Sequence, residues 1–184
     1  MLSLFNPYSN DKKIVIGWTG TFSSKIYLDL LRDVFLELAK RYDFKLRVIG
    51  NFQYDLPGVE LEVIQWTSEM EANDLQGIDI GVYPLTNNEW VLGKSGLKAI
   101  QYMAFGIPTV ATNVGTTPKI INHKINGWLV KTDQEWIEAL EVLIKDSKLR
   151  RKIGENARLT VLENYSKNVI KFKYSSILNK LLKN

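Results

Sequence analysis

Cysteine is absent from all 184 residues, which excludes disulfide bridges and thiolate-bound metal. Histidine occurs once, at His123, with no cluster of carboxylates or further imidazoles at ligand spacing, so it is read as non-catalytic. Long apolar runs are also lacking: none exceeds strand length, and Met1 to Tyr8 does not follow the charged-then-apolar plan of a signal peptide. The excess of one charge sign is small, a formal +4, without a dense basic block, which argues against a nucleic-acid partner. What is present is ordinary for a folded chain: 45% apolar and 24% charged residues. The length suits one domain with a sizeable core and is short for two. These features describe a soluble, cytoplasmic domain.

Residues 1–12 show no period and read as a linker. From Lys13 onward, strand-like and helix-like segments alternate. Strands are expected at Lys13–Gly17, Phe44–Gly50, Val59–Ile64, Ile78–Tyr83, Pro108–Thr112 and Gly127–Val130. Tyr27, Leu28, Leu31, Val34, Phe35 and Leu38 recur at helical spacing and predict one long amphipathic helix after the Ser23-Ser24 loop. Ser68 to Glu71 and Thr132 to Glu135 each have the form of a capping box, one opening a short helix closed by Gly77, the other a helix through Ile144. Further helices are expected at about Ser95–Phe105, from Pro118, at Ser147–Glu163 and at Ser166–Leu182. Such alternation implies an α/β fold, a doubly wound parallel sheet with helices on both faces. Ligands of such sheets sit beyond the carboxyl ends of the strands, here the loops after Gly17, Ile64, Tyr83 and Thr112.

The richest of these loops is Gly93-Lys94-Ser95-Gly96-Leu97-Lys98, which runs straight into a helix. A helix start gathers unpaired amides and the positive end of the dipole, which suits an anion. Two lysines there oppose the dipole by a few tenths of a kcal/mol each, and an anion would remove that conflict. A P-loop is excluded because the glycine it requires five residues before Gly93 is Asn88. Gly17-Trp-Thr-Gly20 has two residues between its glycines, so the nicotinamide fingerprint fails as well. Gln101, about one turn beyond Lys98, is either a surface residue or a group that accepts from one ribose hydroxyl and donates to another. Gly20, Thr21, Ser23 and Ser24 form either a plain strand-to-helix connection or a second anion-binding helix start. Trp66 and Tyr83, at strand ends, are either core residues or neighbours of a nucleotide base.

The run Tyr102-Met-Ala-Phe-Gly106-Ile-Pro-Thr-Val-Ala111-Thr-Asn-Val-Gly115, followed by Ile120-Ile-Asn-His-Lys-Ile-Asn126-Gly127-Trp-Leu, resembles the C-terminal domain of family 4 glycosyltransferases. The resemblance extends from about Lys13 to Tyr165. It implies a single Rossmann-like domain, one half of a GT-B enzyme, that binds the donor of a retaining, nucleotide-sugar-dependent transfer. The donor would be a UDP-, GDP- or ADP-linked sugar used as substrate, with no cofactor and no required metal. Its diphosphate would meet Lys94, Ser95, Gly96, Leu97 and Lys98, with Gly20 and Thr21 opposite; Gln101 would meet the ribose and Trp66 and Tyr83 the base. The family carries two glutamates eight positions apart, and these fall here on Gly93 and Gln101. Gly93 and Lys94 would then lie near the donor sugar, Lys94 replacing the first glutamate. Lys25 and Arg47 are weaker candidates for neutralising the diphosphate. The acceptor would belong to an N-terminal domain that this chain does not contain, through which alone any membrane association would arise. Residues 166–184 would form a C-terminal helix lying against that domain. A non-catalytic, nucleotide-recognising module of the same fold is the alternative.

Overall fold

Short runs of β-branched and aliphatic residues, bounded by Gly, Pro and Asp, form a single sheet at the centre of the molecule. A computed structural model describes residues 13–182. The strands are β1 (Ile14–Thr19), β2 (Phe44–Gly50), β3 (Glu60–Gln65), β4 (Ile80–Tyr83), β5 (Thr109–Thr112) and β6 (Trp128–Val130). All pairings are parallel, in the order β3-β2-β1-β4-β5-β6. The chain therefore winds outward from β1 in one direction, then returns and winds outward in the other. The reversal lies between β1 and β4, and the loops leaving their carboxyl ends diverge there to open a cleft. Every connection between successive strands except that from β2 to β3 is helical, with α1 (Lys25–Asp29), α2 (Arg32–Ala39), α3 (Glu71–Gln76), α4 (Glu89–Leu92), α5 (Leu97–Ala104) and α6 (Thr117–Ile120), and α7 (Asp133–Lys145) follows β6. Two further helices, α8 (Ser147–Asn164) and α9 (Lys167–Leu181), follow the sheet.

The core is split by the sheet. Ile16, Trp18, Val48, Ile80, Val82 and Val110 pack with α2 and α7, and Ala99, Met103, Ala111 and Ala157 form a second cluster with α5 and α8. Small residues appear where backbone or ring comes close. A Cβ on Gly81 would lie 2.7 Å from the ring of Tyr102, so glycine in β4 is what lets α5 press that ring onto the sheet.

The sequence places all six strands within two residues of their observed limits. Three expectations are corrected. The helix expected from Tyr27 to Leu38 is two helices, because Leu31 bonds back to Leu28 in a tight turn between them. Ser68 does not cap α3; its hydroxyl bonds Glu69, while Thr67 Oγ1 accepts from the Met70 amide. The helix expected from Ser95 begins at Leu97, preceded by an unexpected short α4 that Asn88 caps. The Thr132–Glu135 capping box forms as expected. Gly106 (φ +71°) ends α5, with the Gly106 and Ile107 amides bonding back to Met103 and Tyr102. The linker expected at residues 1–12 lies outside the described residues. No residue of α9 is buried, and Ile170, Phe172, Ile177 and Leu181 are exposed on it. Among the described residues no helix is long and apolar enough to cross a membrane.

Candidate functional site

The cleft at the reversal of strand order holds a cavity of about 480 Å³, lined by Thr19, Gly20, Thr21, Trp66, Glu71, Tyr83 and the run Lys94 to Lys98, together with Gln101. Two of the loops around it are tied down by backbone bonds. Gly20 N–H donates to the Ile49 carbonyl and Trp66 N–H to the Gly50 carbonyl. The buried Thr19 amide donates to Tyr102 Oη at 2.8 Å, so α5 itself holds the end of β1.

The start of α5 is the centre of the site. Its N-cap is Gly96, with φ +74°, a conformation that other residues avoid, and a Cβ there would lie 2.4 Å from Ile120. No side chain caps this end, so the first amides of the helix face the cavity without the protein acceptor that Ser, Thr or Asp would supply. Thr116 Oγ1 donates to the Lys94 carbonyl at 2.8 Å and fixes the approach to the helix. Lys94 Nζ sits 5.0 Å from the centre of the Tyr27 ring. Lys98 is half-buried, and burial, then the nearby Lys94, lowers its pKa below the ordinary lysine value. Two cations and a helix dipole of the same sign converge on one space. That arrangement is electrostatically strained when empty and relieved by an anion.

The opposite wall is different in character. The Thr21 amide donates to Ser24 Oγ and the Phe22 amide to Asn51 Oδ1, so these two amides already have acceptors within the protein. Gly20 and Thr21 nevertheless line the cavity, where the loop offers close backbone approach. Gly20 has no room for a Cβ, which would fall 2.2 Å from the Trp18 ring. Tyr83 is buried at the floor, its pKa raised by burial and then by Tyr27. Trp66 is 42% exposed at the rim, a flat apolar surface open to a ligand.

Lys25 and Arg47 are not at the cavity. Lys25 pairs with Asp29 at 2.7 Å, and Arg47 pairs with Glu62 at 2.7 Å while donating to the Asp74 carbonyl. Gly93, expected beside the donor sugar, is the exposed C-cap of α4 and does not line the cavity. Its φ of −82° suits any residue, and an added Cβ would meet only the Trp90 carbonyl at 3.6 Å. The glycine is therefore not a packing requirement. Gly93→Ala is expected to stabilise the fold by about 0.4–1 kcal/mol by restricting the unfolded chain; a denaturant midpoint that falls would contradict this. His123 Nδ1 accepts from the Leu129 amide and its ring packs edge-on to Trp128, a structural role. Among the described residues no group of three or more His, Cys, Asp or Glu is placed to hold a metal ion.

Two lining residues escaped sequence reasoning. Thr19 is simply the last residue of β1. Glu71, read as the far half of a capping box, instead opens α3 with its carboxylate toward the cavity, where Oε1 accepts from Gln101 Nε2 at 3.1 Å.

A parallel sheet of this order with a ligand-sized cleft at its reversal defines a Rossmann-like binding domain. The family model for group 1 glycosyl transferases matches residues 4–160, and the chain belongs to that family. The capsular polysaccharide biosynthesis glycosyltransferase CapM of Staphylococcus aureus is 27% identical over 192 residues, which cover 97% of this chain and 49% of CapM. The N-acetyl-alpha-D-glucosaminyl L-malate synthase of Bacillus anthracis is 33% identical over 90 residues, 48% of this chain and 24% of that enzyme. The chain thus spans between about a quarter and a half of the length of these curated relatives. Among solved structures, the C-terminal domain of the group 1 glycosyl transferase LpcC from Francisella tularensis has the same fold. It matches with TM-score 0.68 and 24% identity, covering 85% of this chain and 87% of that one. Anabaena Alr3699/HepE, solved in complex with UDP-glucose, matches with TM-score 0.69 and 16% identity over 92% of this chain and 49% of its own.

Proposed function

We propose that this chain is the donor-binding half of a retaining glycosyltransferase, holding a nucleoside diphosphate sugar in the cavity at the start of α5. The observation that carries the reading is the uncapped helix start flanked by Lys94 and Lys98 and facing open space. The diphosphate lies against the amides of Leu97 and Lys98 and between the two ammonium groups, with Gly20 and Thr21 across from it. Gln101 meets the ribose, and Trp66 with Tyr83 flanks the base. When the bond from the sugar's anomeric carbon to the diphosphate oxygen breaks, the electron pair stays on that oxygen. The growing negative charge is met by dipoles and cations already in place, so little reorganisation is needed in the transition state. In this reading the protein's own cations carry the charge stabilisation, and the acceptor is held by a separate domain. The solved UDP-glucose complex of Alr3699/HepE and the capsular polysaccharide role of CapM support the substrate class.

Calorimetric titration with UDP, GDP and ADP tests the reading: saturable binding of at least one at millimolar concentration or below is expected, and none by any of them overturns it. A pH dependence follows from Lys98. In the empty site its pKa is lowered, so folding keeps it charged at a cost that is full below that lowered value and gone above 10.5. A bound diphosphate favours the ammonium form and raises the pKa again. Between those two values binding is therefore expected to take up a proton, and affinity to fall as pH rises. Heats measured in buffers of different ionisation enthalpy should diverge there and converge for Lys98→Met; identical heats for the parent protein would contradict the linkage.

A second reading, a domain that recognises a nucleotide and transfers nothing, is favoured by Gly93 standing where the family has glutamate. Donor hydrolysis or transfer, assayed with the acceptor-binding domain present, separates the two.

A further inference from the structure

We infer that Glu71 supplies the ribose-binding carboxylate of this site and that Gln101 positions it, so that the ribose is gripped from α3 as well as from α5. The inference rests on the nucleoside diphosphate reading and goes beyond it in naming a recognition group outside the lysine-bearing segment. Its basis is the placement of three features along the cavity wall. The diphosphate-binding start of α5 comes first. Gln101 follows three residues after Lys98, hence on the same face of the helix and about 5–6 Å further on. Trp66, exposed, lines the same cavity and belongs to the same connection after β3 as Glu71. With the diphosphate at the start of α5, the ribose would fall beside Gln101, and there Glu71 joins it through their hydrogen bond.

The hydrogen bond between Gln101 Nε2 and Glu71 Oε1 decides the division of labour. It uses one donor of the amide and one oxygen of the carboxylate, and leaves Gln101 Oε1 and Glu71 Oε2 as acceptors on a wall of the cavity. A vicinal diol offers two O–H donors, and this pair offers two acceptors. The stronger of them is the charged one, because a hydrogen bond to an ionised acceptor is roughly twice as strong as a neutral one. The negative charge that an amide at position 101 cannot carry is thus delivered beside it by a residue thirty positions earlier in the chain.

The test compares whichever of UDP, GDP and ADP binds, its 2′-deoxy analogue, and inorganic pyrophosphate, on the parent protein and on Glu71→Gln, Gln101→Glu and the double exchange Glu71→Gln/Gln101→Glu. The parent is expected to favour the ribonucleotide over the deoxynucleotide by about tenfold, one charge-assisted hydrogen bond. Glu71→Gln should remove that preference while leaving pyrophosphate affinity unchanged, which also shows that the variant is folded. Gln101→Glu sets two carboxylates together and should weaken the ribonucleotide. The double exchange returns the carboxylate to α5 and should restore the preference. A preference that survives Glu71→Gln overturns this inference alone, and a parent that binds no nucleoside diphosphate overturns it together with the reading beneath it.

Discussion

Replacing Lys94 and Lys98 together by alanine is expected to weaken nucleoside diphosphate binding by about 100-fold, close to 3 kcal/mol. In the proposed site each ammonium would make a charge-assisted contact worth about 1.5–3 kcal/mol. The two do not add fully, since they share one anion and repel each other when it is absent. That repulsion is visible in the lowered pKa of Lys98, to which Lys94 contributes after burial. The empty double variant should accordingly be no less stable than the parent, a combination that separates a binding role from a structural one. Lys94→Ala alone should cost about 1–2 kcal/mol of binding. Calorimetry with the preferred nucleotide and a thermal melt of the empty protein check both halves. Unchanged affinity in the double variant would remove both lysines from the site.

Tyr102→Ala is expected to have the largest effect on the fold, about 4 kcal/mol or more against a typical total of 5–15. The ring is wholly buried, lies against Gly81 of β4, and packs with Ile49, Leu75, Ile78 and Ile107. Its removal leaves a cavity where sheet and α5 meet, and it strands the buried Thr19 amide that its hydroxyl accepts. Tyr102→Phe isolates the second contribution: the ring stays, the amide loses its acceptor, and a loss of about 1–3 kcal/mol is expected. Because Thr19 is the last residue of β1, this smaller change should also loosen the Gly20–Thr21 wall, seen as faster amide exchange there than elsewhere in the sheet. Urea midpoints equal to the parent's for both variants would contradict the account.

Much of the architecture was legible because its signals are local. Aliphatic runs closed by Gly, Pro or Asp mark the strands, and Thr132–Glu135 and Gly106 mark helix ends whose partners lie within one turn. The break between α1 and α2 was not legible, because Leu28, Leu31 and Val34 preserve the apolar spacing across it and only the hydrogen bonds change. The start of α4 carried a usable sign, Asn88 four residues before the end of the helix and Gly93 after it, that the lysines of the next segment overshadowed. The family resemblance pointed to the residues from Lys94 to Lys98 and Gln101, and the fold gathers them on one cavity. Gly93 is left outside because α4 ends there and turns it to solvent. Glu71 could not be found from spacing. Its position in a plausible capping pattern already accounted for it, and only the packing of α3 beside α5 brings its carboxylate to Gln101.

The proposed function turns on one location, the start of α5, where the diphosphate of a nucleotide donor would sit. A crystal structure of the chain soaked with UDP, GDP or ADP, whichever binds, tests it most directly. Phosphate oxygens are expected within hydrogen-bond distance of the Leu97 and Lys98 amides and of the Lys94 and Lys98 ammonium groups. A nucleotide bound with its phosphates elsewhere, for instance in the groove between α2 and α7, would contradict it.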